Sequence, residues 1–295
     1  MKGWPKKDAD YILYIELVLM FLFLTMNASD YWLQQHPEGQ SYYTQAGHFP
    51  ISSLFTPLFD GMSYATVVTI ERTSWWLHII GILAFLNYLY YSKHLHIILA
   101  FPNTFYANLN PLGRFSHSEA VANEVKMMMD PSADPSASPA VESEPISFGA
   151  ADVKDLNRIQ LMNAYSCTEC GRCTDVCPAN QTGKKLSPRK IMMDTRDRLE
   201  QVGKQLDQGL AIDDKTLLDH HISREELWAC TTCNACVEAC PISIDPLSII
   251  MDMRQYLVME QSSAPSELNA MMTNIENNGA PWPFNQQDRI NWINE

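Results

Sequence analysis

Two long apolar stretches occupy the first hundred residues, and a more polar sequence with helical patterning fills the rest of the chain. Residues 9–28 form an almost unbroken apolar run, which as a helix would extend about 30 Å, the thickness of a bilayer core. A second run, at about 72–97, carries no charge from Trp75 to Tyr91 and has aromatic residues at both ends, as membrane interfaces favour. The pattern predicts a transmembrane helical hairpin within a membrane region at 1–110.

The basic start of the chain raises the alternative of a cleaved signal peptide. Glu16 interrupts the first apolar run, and Met26 stands where a small residue is expected before a cleavage site, so a membrane anchor is favoured. Basic residues precede the first run and follow the uncharged stretch of the second, whereas the loop between the runs holds four acidic residues and only one basic residue, Arg72. Because positive flanks stay in the cytoplasm, we expect both ends of the hairpin, and everything after it, on the cytoplasmic side.

Beyond the membrane region the sequence predicts a linker, a helical domain and a tail. Residues 111–147 contain a proline-rich stretch without apolar periodicity and are expected to be the linker. In 148–262 strand signals are poor, and Ser187 and Asp245, each followed by proline, are typical helix N-caps. Residues 263–295 form the tail. Trp282, Phe284 and Trp292 have no local period that would bury them, which favours a docking role; the alternative is a lid over the domain.

All eight cysteines lie in two stretches, CTECGRCTDVCP at 167–178 and CTTCNACVEACP at 230–241. Such clustering in a chain of this size favours metal ligation over disulfide bonds. The spacing C-x-x-C-x-x-C-x-x-x-C-P is typical of proteins with two [4Fe–4S] clusters, in which the fourth cysteine of each run ligates the other cluster. Zinc, the alternative, prefers two separated C-x-x-C pairs, and one thiol of each run would then be idle.

The two-cluster rule gives each cluster three ligands from one run and one from the other. Cluster 1 is predicted to take Cys167, Cys170, Cys173 and Cys240, and cluster 2 is predicted to take Cys230, Cys233, Cys236 and Cys177. Similar segments, IMMDTR at 191–196 and IIMDMR at 249–254, follow the two runs, which indicates a duplicated unit.

Two such motifs separated by helices resemble the α-helical ferredoxin domain of the C-type heterodisulfide reductase subunits and of the iron–sulfur subunits of succinate and glycerol-3-phosphate dehydrogenases. NNGAPWPF at 277–284 is similar to the NNGNPWG signature of that family. From GWPKKDAD onward the chain also resembles membrane-anchored (Fe–S)-binding proteins of Bacteroidetes-type bacteria, which usually carry further transmembrane helices before this segment. The resemblance implies an all-α fold in a bacterial inner membrane, with a separate partner that carries CCG cysteine motifs.

His78 and His96 would lie about five turns apart on one helix, facing the same way with about 27 Å between them, whereas His94 would point elsewhere. The pair resembles the last helix of the γ subunit of respiratory nitrate reductase, where two histidines at this interval ligate b-type haems. The resemblance implies haem b at His78 and His96, with the second axial ligands supplied by missing helices or by another subunit. The alternative is a pair of interfacial histidines.

The expected function is electron transfer between the quinone pool, through haem b, and two cytoplasmic [4Fe–4S] clusters that serve the CCG-type partner. A membrane-tethered redox sensor or an assembly scaffold is the alternative from another class. No cysteine follows Cys240, so we expect no substrate site of the chain's own. A net charge of −13 argues against a nucleic-acid partner. Glu16 is a weaker candidate for quinol or proton handling.

Overall fold

The computed structural model describes residues 4–36, 42–111, 113–114, 122, 125–126, 128–129 and 148–293. Throughout these residues the secondary structure is helical and contains no β-strand, which confirms the predicted all-α class. The chain divides into two units, Met1–Ile98 and Leu99–Glu295. The predicted linker, 111–147, lies almost wholly outside the described residues.

The first unit is built on two long helices. It contains α1 (Trp4–Gln35), a short 3₁₀ helix (Ser52–Phe59) and α2 (Tyr64–Leu89). Ser63 caps α2, because its side chain accepts a hydrogen bond from the Thr66 N–H. α1 packs against α2 and against the 3₁₀ helix.

Contacts between α1 and α2 show that they run antiparallel. Nδ1 of His78 lies 3.0 Å from the carbonyl oxygen of Leu19, midway along both helices. A Cβ added at Gly81 would come within 2.6 Å of the Leu19 side chain, so the glycine permits the helices to approach closely at this point. Asp8, near the start of α1, accepts a hydrogen bond from the Tyr88 hydroxyl near the end of α2.

One described helix, over Lys7–Gln35, is long and apolar enough to cross a membrane. Much of its apolar surface is exposed, including Leu13, Leu17 and Phe21. α2 is long enough to cross a membrane, but no stretch of it is sufficiently apolar. Its N-terminal half carries Glu71 and Arg72, and its apolar stretch is shortened by polar and aromatic side chains.

The predicted helix at 72–97 differs from the observed helices in both bounds and continuity. α2 begins earlier, at Tyr64, and ends at Leu89, and a separate helix, α3 (Leu95–Phe105), follows it. Hydrogen bonds stabilise the break: Asp8 accepts from the Lys93 N–H at 2.9 Å, and the Ser92 hydroxyl accepts from the His94 N–H at 2.9 Å. The assumption of one helix through His78 and His96 is therefore wrong.

The second unit begins within α3, earlier than the predicted membrane boundary at 110. The side chain of Asn103 is buried and donates a hydrogen bond of 2.8 Å to the carbonyl oxygen of Ile242. This bond ties the C-terminal part of α3 to the loop that follows the second cysteine motif. The boundary therefore falls between Ile98 and Leu99.

The remaining helices of the second unit are mostly short, with three longer ones. They are α4 (Arg158–Ser166), α5 (Arg172–Asp175), α6 (Pro178–Gln181), α7 (Pro188–Asp207), α8 (Leu217–His220), α9 (Arg224–Ala229), α10 (Ala235–Glu238), α11 (Pro246–Met259) and α12 (Ser266–Asn278). Two 3₁₀ helices, Val153–Asp155 and Gln286–Ile293, lie before α4 and after α12.

The core of the second unit forms where α7 and α11 pack together, with α4 against both. Buried apolar side chains run from Ala150 to Leu257 and include Ile191, Ile249 and Met253. The predicted caps are present: the Ser187 hydroxyl accepts from the Lys190 N–H at 3.4 Å, and the Asp245 carboxylate accepts from the Ser248 N–H at 3.0 Å.

Candidate iron–sulfur centres

Each cysteine motif begins at the end of one helix and contains the next. Cys167 follows α4 directly and Cys230 follows α9, while Cys173 lies in α5 and Cys236 in α10. The last turn differs slightly between the halves: Cys177 precedes α6, whereas Cys240 leads into a turn. The two motifs are therefore local repeats of the same helix–loop–helix path.

The loops repeat down to their backbone conformations. Glu169 and Gly171 in the first motif have positive φ angles of 59° and 89°, and Thr232 and Asn234 have angles of 56° and 63° at the same two offsets in the second. Non-glycine residues rarely adopt this left-handed region, and such strain is typical of functional sites. The result in each half is a tight loop that carries the first three cysteines.

Backbone amides in both loops point at the first thiol of the motif. The N–H of Thr232 donates to Sγ of Cys230 at 3.4 Å. The N–H of Glu169 makes the same bond to Cys167, where it lowers the pKa of the thiol against the larger effect of burial. Hydrogen bonds to cluster sulfur ligands raise the reduction potential by stabilising negative charge.

The thiols predicted to bind cluster 1, here called the first set, come from both motifs and raise one another's pKa values. Burial first, and then the charges of Cys173 and Cys240, raises the pKa of Cys167 to about 11. Burial also raises the pKa of Cys173, and Cys170 and Cys240 add to it. Cys240, from the second motif, is thus a neighbour of thiols in the first.

In the second set, the thiols predicted to bind cluster 2, a cysteine of the first motif acts on cysteines of the second. Burial raises the pKa of Cys230, and the charges of Cys177 and Cys233 add to it. Burial raises the pKa of Cys236 to about 12, with further contributions from Cys230, Asp245, Cys173 and Cys177. Cys177, from the first motif, is therefore a neighbour of thiols in the second, and Cys173 and Cys236 connect the two sets.

Eight thiols arranged in two crossed sets fit two cubane clusters, because each cubane takes one cysteine at each of its four irons. All eight cysteines are free, and Cys170 and Cys233 are exposed while Cys177 and Cys236 are buried. In the described parts of the chain, no three His, Cys, Asp or Glu side chains gather closely enough to hold one metal ion. Burial raises the pKa values of Cys167, Cys173, Cys230 and Cys236, which favours the protonated thiol, so cluster binding at these residues releases protons.

Two arginines, which the sequence reasoning did not single out, lie beside the motifs. Nη2 of Arg196 lies 2.7 Å from Oε1 of Glu169. Nη2 of Arg254 donates to the carbonyl oxygens of Leu227 and Cys230 at 2.5 and 2.6 Å, and its guanidinium lies 4.9 Å from the centre of the Trp228 ring. The final arginine of IMMDTR and IIMDMR was the sequence signal that could have identified both.

The predicted haem histidines belong to the first unit. His78 is on α2 and His96 on α3, so they do not share one helical face. Nδ1 of each ring faces a carbonyl oxygen, that of Leu19 at 3.0 Å and that of Lys93 at 2.6 Å. A carbonyl can only accept, so Nδ1 carries the proton and Nε2 is the unprotonated nitrogen of the neutral ring.

His94 is arranged differently from the other two histidines. Its Nε2 lies 3.5 Å from Oε1 of Glu16, and its ring centre lies 5.8 Å from that of His96. Glu16, the weaker candidate for quinol or proton handling, therefore pairs with a histidine across the hairpin.

The cysteine geometry agrees with the comparison with known protein families. Residues 166–244 match the 4Fe-4S dicluster domain family. The chain contains a 4Fe-4S dicluster domain. This match supports iron–sulfur clusters on the two motifs in place of the zinc and disulfide alternatives.

Relatives among characterised proteins extend well beyond that domain. The chain is 30% identical over 277 residues to the probable iron-sulfur-binding oxidoreductase FadF of Bacillus subtilis, with 83% of this chain and 36% of FadF covered. It is 27% identical over 267 residues to the EtfAB:quinone oxidoreductase of Syntrophomonas wolfei, with 83% and 34% covered. No solved structure gives a significant match.

Other relatives carry the names expected from the motifs. A probable membrane-anchored ferredoxin of Chromohalobacter salexigens is 30% identical over 160 residues, covering 49% of this chain and 24% of that protein. One of the subunits of the dihydromethanophenazine:CoB–CoM heterodisulfide reductase of Methanosarcina mazei is 28% identical over 149 residues, covering 48% and 36%. These matches confirm the resemblance to heterodisulfide reductase subunits. The chain spans about a third of the length of the first two relatives.

Proposed function

We propose that this chain is a membrane-bound electron-transfer subunit that carries electrons between the quinone pool and two cytoplasmic [4Fe–4S] clusters. The observation that carries the proposal is that thiols of the two motifs are electrostatic neighbours, with Cys173 of the first motif adding to the raised pKa of Cys236 in the second. Clusters bound by interleaved ligands lie close together, as successive one-electron transfer requires. The name of the Syntrophomonas wolfei relative, a quinone oxidoreductase, supports quinone as the electron donor or acceptor.

Membrane attachment is supported by α1. Its length, its composition and its exposed apolar side chains suit a lipid-facing helix. α2 packs antiparallel to α1 and completes a hairpin, which we propose as the second span despite its shorter apolar stretch. The lysines outside the hairpin favour the cytoplasmic side of a bacterial inner membrane for the dicluster domain.

We propose haem b at His78 and His96 because of the hydrogen bonds that their ring nitrogens make, and not because of the spacing of the two residues. In both rings Nδ1 donates to a backbone carbonyl, which holds the tautomer that offers Nε2 to iron. Histidines that ligate metals usually make this kind of second bond. The second axial ligands would come from further helices of the same protein or from another subunit.

A CCG-type partner is proposed to dock on the C-terminal tail. Trp282, Phe284 and Trp292 are exposed, which favours docking over the lid alternative. Gly279, with a φ of 63°, ends α12 and turns the chain into this segment. Large exposed aromatic residues are typical anchors of protein interfaces.

The partner is tested by substitution in the tail. Trp282→Ala combined with Phe284→Ala should release the cysteine-rich partner when the complex is purified from membranes, while the iron–sulfur EPR signals stay intact. Leu206→Ala, which truncates an exposed apolar side chain on α7, is the matched control and should retain the partner. Loss of the clusters with the partner still bound would instead support the lid.

Electron transfer is tested against the sensor or scaffold alternative on the purified complex. Anaerobic addition of decylubiquinol should change the redox state of the clusters on the timescale of turnover. EPR spectroscopy measures this change. Clusters that respond to dithionite but never exchange electrons with a quinol or quinone would favour the sensor or scaffold.

A further inference from the structure

A pocket of about 290 Å³ lies within the second unit, beside the loop of the second cysteine motif. Asn234 and Val237, which stand between cysteines of that motif, line it, and so does the chain that follows α3. The volume is at the lower end of the range for small-molecule sites. The pocket thus places any occupant next to cluster 2.

One polar atom of this pocket is buried and lacks a partner. Asn103 lines the pocket and is 2% exposed. Its Nδ2 donates to the Ile242 carbonyl at 2.8 Å, but its Oδ1 has no hydrogen-bond partner among the described residues. A buried acceptor without a partner is unfavourable, so this oxygen favours an occupant that donates a hydrogen bond.

The rest of the lining suits a neutral, flat molecule. Apolar side chains of Ile159, Leu247 and Met251 contribute to the walls. The charged side chains among the lining residues are one cation, Arg114, and one carboxylate, Asp245, so the pocket offers no cluster of positive charge for a phosphate group.

The helix that contributes Asn103 is apolar on its outer surface. Phe101 and Phe105 of α3 are both 80% exposed, and Tyr106, which lines the pocket, is exposed as well. Exposed aromatic residues on a short apolar helix are typical of contact with the membrane interface. Tyr106 follows Phe105 directly and lines the pocket, so an apolar tail of a bound ligand would find exposed aromatic side chains at the edge of the site.

We propose that this pocket binds the headgroup of a quinol, with one ring hydroxyl donating to Oδ1 of Asn103. This inference rests on the proposed function and locates its quinone chemistry beside cluster 2. A quinol supplies the hydrogen-bond donor, the flat ring and the lipophilic tail that the pocket and α3 favour, and the uncharged ring suits the balance of Arg114 and Asp245.

The test uses an azido-substituted ubiquinol, the reduced form that carries the donor hydroxyl, as a photolabel on the reduced, detergent-solubilised complex. Peptide mass spectrometry should find the label at 103–114 or 157–163, and excess decylubiquinol should remove it. Ile159→Trp, which fills the pocket, should lower the labelling at least tenfold. Ile275→Trp adds the same side chain to exposed α12 and should leave the labelling unchanged.

A second variant, Ala107→Trp, fills the pocket from a segment outside the helices and should have the same effect as Ile159→Trp. Dithionite-reduced EPR spectra show whether each variant still folds around its clusters. Labelling confined to the first unit, or unchanged in both pocket variants, would overturn the inference. If decylubiquinol still exchanges electrons with the clusters in that case, the proposed function stands without this site; if it never does, the proposed function fails too.

Discussion

Arg196 forms an ion pair with Glu169, with Nη2 and Oε1 2.7 Å apart and the carboxylate buried inside the first cysteine loop. The second half of the domain has an arginine at the same place, Arg254, but Thr232 occupies the position of Glu169. Arg254 bonds to backbone carbonyls, and no ion pair involves it among the described residues. In the second half, the negative charge of Asp245 helps to raise the pKa of Cys236.

Arg254→Gln should lower the reduction potential of cluster 2, because a positive charge stabilises the reduced, more negative cluster. Glu169→Gln should raise the potential of cluster 1, because it leaves Arg196 uncompensated. Each shift should be on the order of 50–100 mV for one charge a few ångströms from the cluster. Potentiometric EPR titration measures both potentials. An Arg254→Gln variant in which the potential of cluster 1 falls and that of cluster 2 is unchanged would contradict the assignment of Arg254 to cluster 2.

The buried side chain of Arg198 should be important for the stability of the domain. It is fully buried, donates to both carboxylate oxygens of Asp152 at 3.0 and 2.9 Å, and reaches Asp213 at 2.6 Å. Arg198→Met leaves the Asp152 charge buried without its partner. We expect a decrease of about 3–5 kcal/mol in the free energy of unfolding, measured with urea on the cluster-loaded protein.

The control for Arg198 is an exposed ion pair. Nζ of Lys185 lies 2.5 Å from Oε2 of Glu225, with both side chains mostly exposed. Lys185→Gln should leave the free energy of unfolding almost unchanged, because solvent screens an exposed ion pair. Similar losses in Arg198→Met and Lys185→Gln would refute the importance of burial.

The histidines make a separate prediction for the first unit. If Nε2 of His78 and Nε2 of His96 ligate haem, His78→Ala and His96→Ala should each remove part of the reduced b-type absorbance of the assembled complex. His94→Ala should leave it unchanged, because Nε2 of His94 faces Glu16. If the assembled complex shows no haem absorbance, His78, His94 and His96 are interfacial histidines and not haem ligands.

Much of the dicluster domain could be predicted from local sequence. The cysteine spacing predicted the 4Fe-4S dicluster domain, and proline after Ser187 and Asp245 predicted where α7 and α11 begin. These features depend on residues close in the chain, which is why a sequence pattern reveals them. The left-handed conformations of Glu169 and Thr232 were not predictable, because neither residue is a glycine.

The errors concern contacts between residues distant in the chain. The sequence from Trp75 to His96 suggested one helix, but Asp8 binds the Lys93 amide and ends it. The membrane region was predicted to extend to residue 110, but Asn103 bonds to Ile242 and the second unit begins at Leu99. No periodicity of a single segment could reveal these partners.

Iron content of paired cysteine variants tests the crossed ligation of the two clusters most directly. The unmodified protein should bind about eight irons, with interacting EPR signals on reduction. Cys177→Ala combined with Cys230→Ala removes two ligands of one cluster and should leave about four irons. Cys177→Ala combined with Cys167→Ala affects both clusters and should leave almost none. The reverse pattern, with about four irons in the second pair and almost none in the first, would contradict crossed ligation.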